Sequence, residues 1–175
     1  MTPSTPSVKR DIFLIISPNP LFAAHWSIWI PSIPQAEGED LGKVLHVTGS
    51  PVTGFVHEVK RGYDMSTTRH AYSFIILGQI DSNLVVDVDL KDQVIFTADD
   101  DCEAPSIESI DAIEKLAFSV PAPKKTLRSA SDNVNAPRPK IENCQNWIGH
   151  FVDLLVDEGI LDANARTLLE SAPKH

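Results

Sequence analysis

The chain has 175 residues, 42% of them apolar, with 15 basic against 24 acidic side chains and a formal charge of −9 at pH 7. That length and a mean hydropathy of −0.08 fit one domain with a real core. The acidic balance, with nothing closer to a basic cluster than Lys124, Lys125 and Arg128, excludes a nucleic-acid binder, because phosphate contacts need clustered cations.

Residues 1–10, rich in Thr, Pro and Ser, read as a disordered start. They lack a basic segment leading into a long apolar run. Neither a signal peptide nor a transmembrane helix is expected, and a cytoplasmic location is the default. From 11 onward we expect a single domain. Asp11 to Ser17 reads as a strand and Pro18 to Ala24 as a turn. Further strands are expected over 25–30, Lys43 to Thr48, Gly54 to Lys60 and Ser73 to Ile80, with Glu58 to Tyr63 read as an edge strand. Ser106 to Phe118 has helical spacing, with Ser106 as its expected cap. Pro121 to Lys140 reads as a flexible Pro-rich loop. Asn143 to Glu158 is the best helix, ended by Gly159, and Ala163 to Ser171 adds a short one. Strands first and helices last predict an α+β fold, an antiparallel sheet of about five strands packed against one principal helix.

Two cysteines, Cys102 and Cys144, give no dense disulfide framework, and no Cys/His group has zinc spacing. Cys102 follows Asp99, Asp100 and Asp101, where like charge disfavours a thiolate, so it reads as unreactive. Cys144 differs. In the helix from Asn143, residues Cys144, Ile148, Phe151 and Leu155 share one face. The thiol therefore points at the sheet from the positive end of a helix, which lowers a thiol pKa. Two readings stand for it: a small buried packing residue, or a nucleophile.

The histidines bear on that choice. On the strand at 25–30, His25, Ser27 and Trp29 face one way; Trp26, Ile28 and Ile30 face the other. On the strand at 43–48, Val44, His46 and Thr48 share a face. If these strands pair, both imidazoles meet on the side that receives Cys144, one to accept its proton and one to orient the first. His57 is an alternative to His46. His70 and His150 read as surface residues. Ser27, Trp29, Asn143, Gln145 and Trp147 are the candidate substrate contacts, although Trp147 reads first as a packing residue.

Three short segments carry a resemblance: His25-Trp26-Ser27-Ile28-Trp29-Ile30, Val44-Leu45-His46-Val47 and Asn143-Cys144-Gln145-Asn146-Trp147-Ile148. They resemble the His-Trp-Ala-Ile-Tyr-Val, Val-Val-His-Leu and Asn-Cys-Glu-His-Phe-Val segments of the lecithin:retinol acyltransferase-like group, above all the HRAS-like suppressor phospholipase/acyltransferases. That group belongs to the circularly permuted, papain-like NlpC-type superfamily, with the PPPDE peptidases. The chain is also similar to small fungal proteins with a Cys-Gln-x-Trp helix and a closing Leu-Val-x-x-Gly-Ile-Leu.

The resemblance implies a permuted papain-like fold with Cys144 as nucleophile, His25 as general base and His46 as its orienter. The backbone N–H of Cys144 would be one oxyanion donor. It implies a hydrolase or acyltransferase that forms a thioester on a small-molecule, peptide or lipid acyl substrate, with no cofactor and no metal. The alternative is a non-catalytic papain-like binding or regulatory protein. The chain departs from the acyltransferases in a longer His25–His46 interval and an enlarged segment before Cys144. It also has no membrane-anchoring helix after 158, which favours a soluble substrate slightly.

Overall fold

The structure is a computed structural model. It describes residues 7–34, 37, 39–88, 93–96 (backbone only), 110–126 and 140–175. The expected disordered start lies mostly outside these residues; Cys102, Ser106 and the greater part of the Pro-rich loop lie wholly outside them.

Among the described residues six strands form one antiparallel sheet: β1 (Lys9–Ser17), β2 (His25–Pro31), β3 (Leu41–Ser50), β4 (Gly54–Asp64), β5 (Ser73–Asp81) and β6 (Gln93–Phe96). Their order is β5-β1-β2-β3-β4-β6. The α-helices among the described residues come after them: α1 (Ala112–Ser119), α2 (Cys144–Asp157) and α3 (Asn164–Ser171). The α+β class and antiparallel sheet are as expected from the sequence. Among the described residues, no helix is long and apolar enough to cross a membrane.

Two expectations are corrected. β6 pairs outside β4, with Glu58 opposite Phe96, so β4 is an interior strand. β6 is only four residues long, too short for a period-two pattern. The first helix begins at Ala112, not near 106. Asp111 and Glu114 form a reciprocal capping box, each side chain bonding the other's backbone N–H, and that fixes the start.

Alternation along the strands divides the sheet into two faces. Trp26, Ile28 and Ile30 of β2 join Leu45 and Val47 of β3 under α2, whose Trp147, Ile148, Phe151 and Leu155 are buried against them. The opposite face carries a smaller cluster of Ile15, Trp29, Val44 and Met65. Trp29 lies flat on Gly42, where a Cβ would fall 2.5 Å from the indole. Gly159 closes α2 at φ +69, in the left-handed region where glycine carries no Cβ penalty.

Under α1 the helix face holds a buried charge cluster. Lys43 contacts Asp111 and lies 2.8 Å from Oε1 of Glu114. Arg61 donates to both Glu114 oxygens, at 2.7 and 2.5 Å. Burial works to raise the Glu114 carboxyl, but hydrogen bonds and charge from Arg61 and Lys43 prevail and hold it below its usual range. α1 is thus fastened to β3 and β4 by ion pairs, where α2 is fastened by apolar packing.

Candidate active site

Asn143 caps α2. Its side chain accepts from the Gln145 N–H at 2.8 Å, and the Asn146 side chain returns a bond to the Asn143 N–H. This reciprocal pair fixes the helix to begin at Cys144 and aims the thiol at β2. Asn143 thus positions the thiol through the helix cap.

The thiol sits against the edge of β2. Sγ lies 3.9 Å from the Ala24 carbonyl oxygen and accepts the Trp26 N–H. That edge is open for a definable reason. The β2–β3 ladder pairs only Ile28 to Pro31 with Leu45 to Gly42. Residues 25–27 have left β3 while still pairing with β1. The sulfur meets the backbone on both sides of His25.

The two imidazoles come together as expected: His25 Nε2 is 2.8 Å from His46 Nδ1. Their side is a correction. Both rings line a cavity of about 440 Å³ on the face opposite α2, while Cys144 belongs to the helix-side core. The physical reason is apolar packing: α2 docks on the Trp26–Ile28–Ile30 face of β2, so His25 and Ser27 are turned away. Among the described residues, no hydrogen bond joins Sγ to either ring.

Glu58 completes the row on that face, with Oε2 3.0 Å from His46 Nε2. The 3.0 Å contact falls short of a well-aligned hydrogen bond. It still orders the protons. A bare Nε2 lone pair facing a carboxylate is repulsive, so Nε2 of His46 carries the hydrogen. Nδ1 then accepts from His25 Nε2–H, and the lone pair of His25 falls on Nδ1. His46, foremost, holds the Glu58 carboxyl below its usual range, Lys60 acting the same way against the effect of burial. The sequence placed Glu58 on a strand but gave no sign of this role, which depends on register: β4 sets Glu58 opposite His46.

Burial pushes the Cys144 thiol above its ordinary pKa, outweighing the N–H groups of Trp26, Gln145 and Cys144 itself. Burial, then His46 and Lys60, push His25 down to about 4, against a pull from Glu58. Sulfur and ring are both neutral at pH 7, where a thiolate–imidazolium pair would need the reverse shifts. The sign fixes an expectation. Thiolate, the alkylating species, grows about tenfold per pH unit up to the raised pKa. Iodoacetamide labelling of the Cys144 peptide, followed by mass spectrometry, should be slow at pH 7 and climb steeply through pH 9. A rate flat from pH 6 to 8 would reveal a preformed ion pair instead.

The remaining candidates divide. Ser27 lines the cavity. Trp29 does not, being buried against Gly42. Gln145 gives its side-chain amide to the carbonyls of Ala24 and Lys174, at 2.9 and 3.0 Å, and so braces the C-terminal segment over β2. Trp147 is enclosed on the helix side, donating to the Val120 carbonyl at 3.0 Å; it packs and does not reach the cavity. His57 bonds the same carbonyl at 2.7 Å beneath Trp147 and Phe118, which rules it out as a substitute for His46. His70 and His150 are exposed, and His70 stands on the cavity rim. No group of three or more His, Cys, Asp or Glu suited to a metal ion occurs among the described residues.

Residues 12–162 match the model of a family of unknown function, DUF6540. The chain belongs to this family. No curated protein and no solved structure matches it. The DUF6540 match spans β1 to the end of α2, so it includes His25, His46, Glu58 and Cys144.

Proposed function

We propose that the protein is a cysteine-dependent hydrolase or acyltransferase on a circularly permuted papain-like scaffold, acting on an amide or ester. One observation supports this above the others. A thiol at a capped helix start is seated on an opened strand edge, and the residue between its two backbone contacts heads a His25–His46–Glu58 row.

In the proposed reaction the thiol leaves the Trp26 N–H and meets His25 Nδ1 around the open edge of β2, a rearrangement of the two groups that substrate binding must bring about. His25 takes the thiol proton as Sγ bonds to the acyl carbon. The developing oxyanion faces the Cys144 N–H. The tetrahedral adduct expels its amine or alcohol, which leaves with the proton from His25, and a thioester remains on Cys144. Water, or a second acceptor, then attacks with His25 again as base and regenerates the thiol. His46 holds the ring of His25, and Glu58 holds that of His46.

The test is a panel of fluorogenic esters and amides, quenched early and read by intact mass. An acyl adduct on the wild-type chain, absent from Cys144→Ala, is the expected result. Turnover undiminished in Cys144→Ala would end the proposal.

A second reading has its own support, the neutral thiol and the two rings on the far face. It makes the protein a non-catalytic papain-like binding or regulatory scaffold. It predicts no adduct from any substrate in the panel.

A further inference from the structure

The cavity that His25 and His46 line has a definite chemical character. Ile15, Val44 and Met65 form an apolar base, and Tyr63 and Tyr72 stand beside it. Its volume of about 440 Å³ lies within the range of small-molecule sites. Although the chain carries a charge of −9, no Asp or Glu is among the described residues that line this cavity. Lys60 is the only Lys or Arg there.

Lys60 is poorly satisfied where it stands. Its Nζ is 3.5 Å from Glu58 Oε1 and 5.5 Å from the centre of the Tyr63 ring. The other oxygen of Glu58 is engaged by His46. An ammonium has three donors, and among the described residues one long contact to Glu58 and one ring face leave capacity for another acceptor. About a third of the side chain is open to solvent, at 31%.

We propose that this cavity binds a ligand with an anionic end, held by Lys60, and an apolar or aromatic body lying on Ile15, Val44 and Met65. The inference names a substrate class for the acyl chemistry proposed above and to that extent rests on it. An anionic group at Lys60 would set the body of the ligand over the apolar base, with the His25–His46 edge within the same cavity.

The test needs no turnover. Phenylacetate, phenylacetamide and phenethylamine share a body and differ in charge, and the titrations are run on the Cys144→Ala chain, so that the amide, which the proposed chemistry would convert to phenylacetate, stays intact. Met65 is one of only two methionines in the chain, the other being Met1. Isotope-labelled methionine methyls therefore report the cavity by NMR. Phenylacetate should shift the Met65 methyl at concentrations roughly tenfold below those needed for the amide or the amine. That preference should shrink as salt rises and disappear in Lys60→Met and Lys60→Gln, while phenylacetamide still shifts Met65 in both variants and so shows the cavity intact.

Equal binding of the three probes, a preference for the amine, or a preference that survives both substitutions would overturn the proposal, as would a Met65 methyl that none of them moves. These outcomes are separate from those for catalysis. A chain that forms no acyl adduct but discriminates phenylacetate through Lys60 keeps the binding site and loses the enzyme. A chain that forms the adduct without discrimination keeps the enzyme and loses the anion site.

Discussion

Glu114→Gln is expected to lower the unfolding free energy by about 3–5 kcal/mol, read from the urea midpoint at unchanged slope. The size follows from what the substitution leaves behind. Glu114 is fully buried and receives Arg61 on both oxygens and Lys43 on one. An amide keeps the shape but removes the charge of the carboxylate that Arg61 hydrogen-bonds, leaving the more distant Asp111 acting on Arg61 by charge alone. Asp111 continues to serve Lys43 and the Val86 N–H, so the loss should fall on the Arg61 side. An equally conservative change at the surface makes the comparison. Arg166 pairs with Asp153 and Asp157 in solvent, and Arg166→Gln should leave the midpoint where it was, since exposed pairs contribute little. Similar midpoints for the two variants would contradict the account of how α1 is held.

The acyl chemistry proposed above predicts graded kinetic losses along the row from His25 to Glu58. Removing the base with His25→Ala should cost about a thousandfold or more in kcat. Glu58→Gln acts only through His46 and should cost roughly tenfold, with KM little changed and activity recovered in Glu58→Asp. A merely structural role for Glu58 would not alter protons on a neighbouring ring, so nitrogen NMR supplies the second readout. In the wild type the His25 proton should sit on Nε2. In Glu58→Gln the tautomers of both rings are free to mix. A wild-type His25 protonated on Nδ1, or Glu58→Gln as damaging as His25→Ala, would break the order of the row.

Much of the fold was legible because it is local. The cap at Asn143, the apolar face through Ile148, Phe151 and Leu155, and the closing Gly159 define α2 within one residue of its observed ends. The alternation on β2 also separated His25, Ser27 and Trp29 correctly from Trp26, Ile28 and Ile30. The error was in choosing which face receives the helix. The signal was present, since α2 offers an apolar stripe and Trp26–Ile28–Ile30 is the more apolar side of β2. What was illegible is long-range. The Glu58–His46 contact needs the β3–β4 register, which shifts at a bulge between Gly42 and Val44. Within the charge cluster Arg61 and Glu114 are 53 positions apart and Lys43 and Asp111 are 68 apart, and charged residues on strands read by default as solvent-facing. The tertiary partners of Asp111 and Glu114 had no sequence mark.

The seat of the sulfur has a consequence for folding measurements. Cys144 and Ala24 are 120 positions apart, so the shelter around this thiol exists only once the first strands and the principal helix have both formed and met. A chain with its sheet complete and α2 undocked would present an ordinary, accessible thiol. Excursions in which that last junction parts therefore add an alkylation component with the pH profile of an ordinary thiol, and that component gives the free energy of the local opening independently of global unfolding.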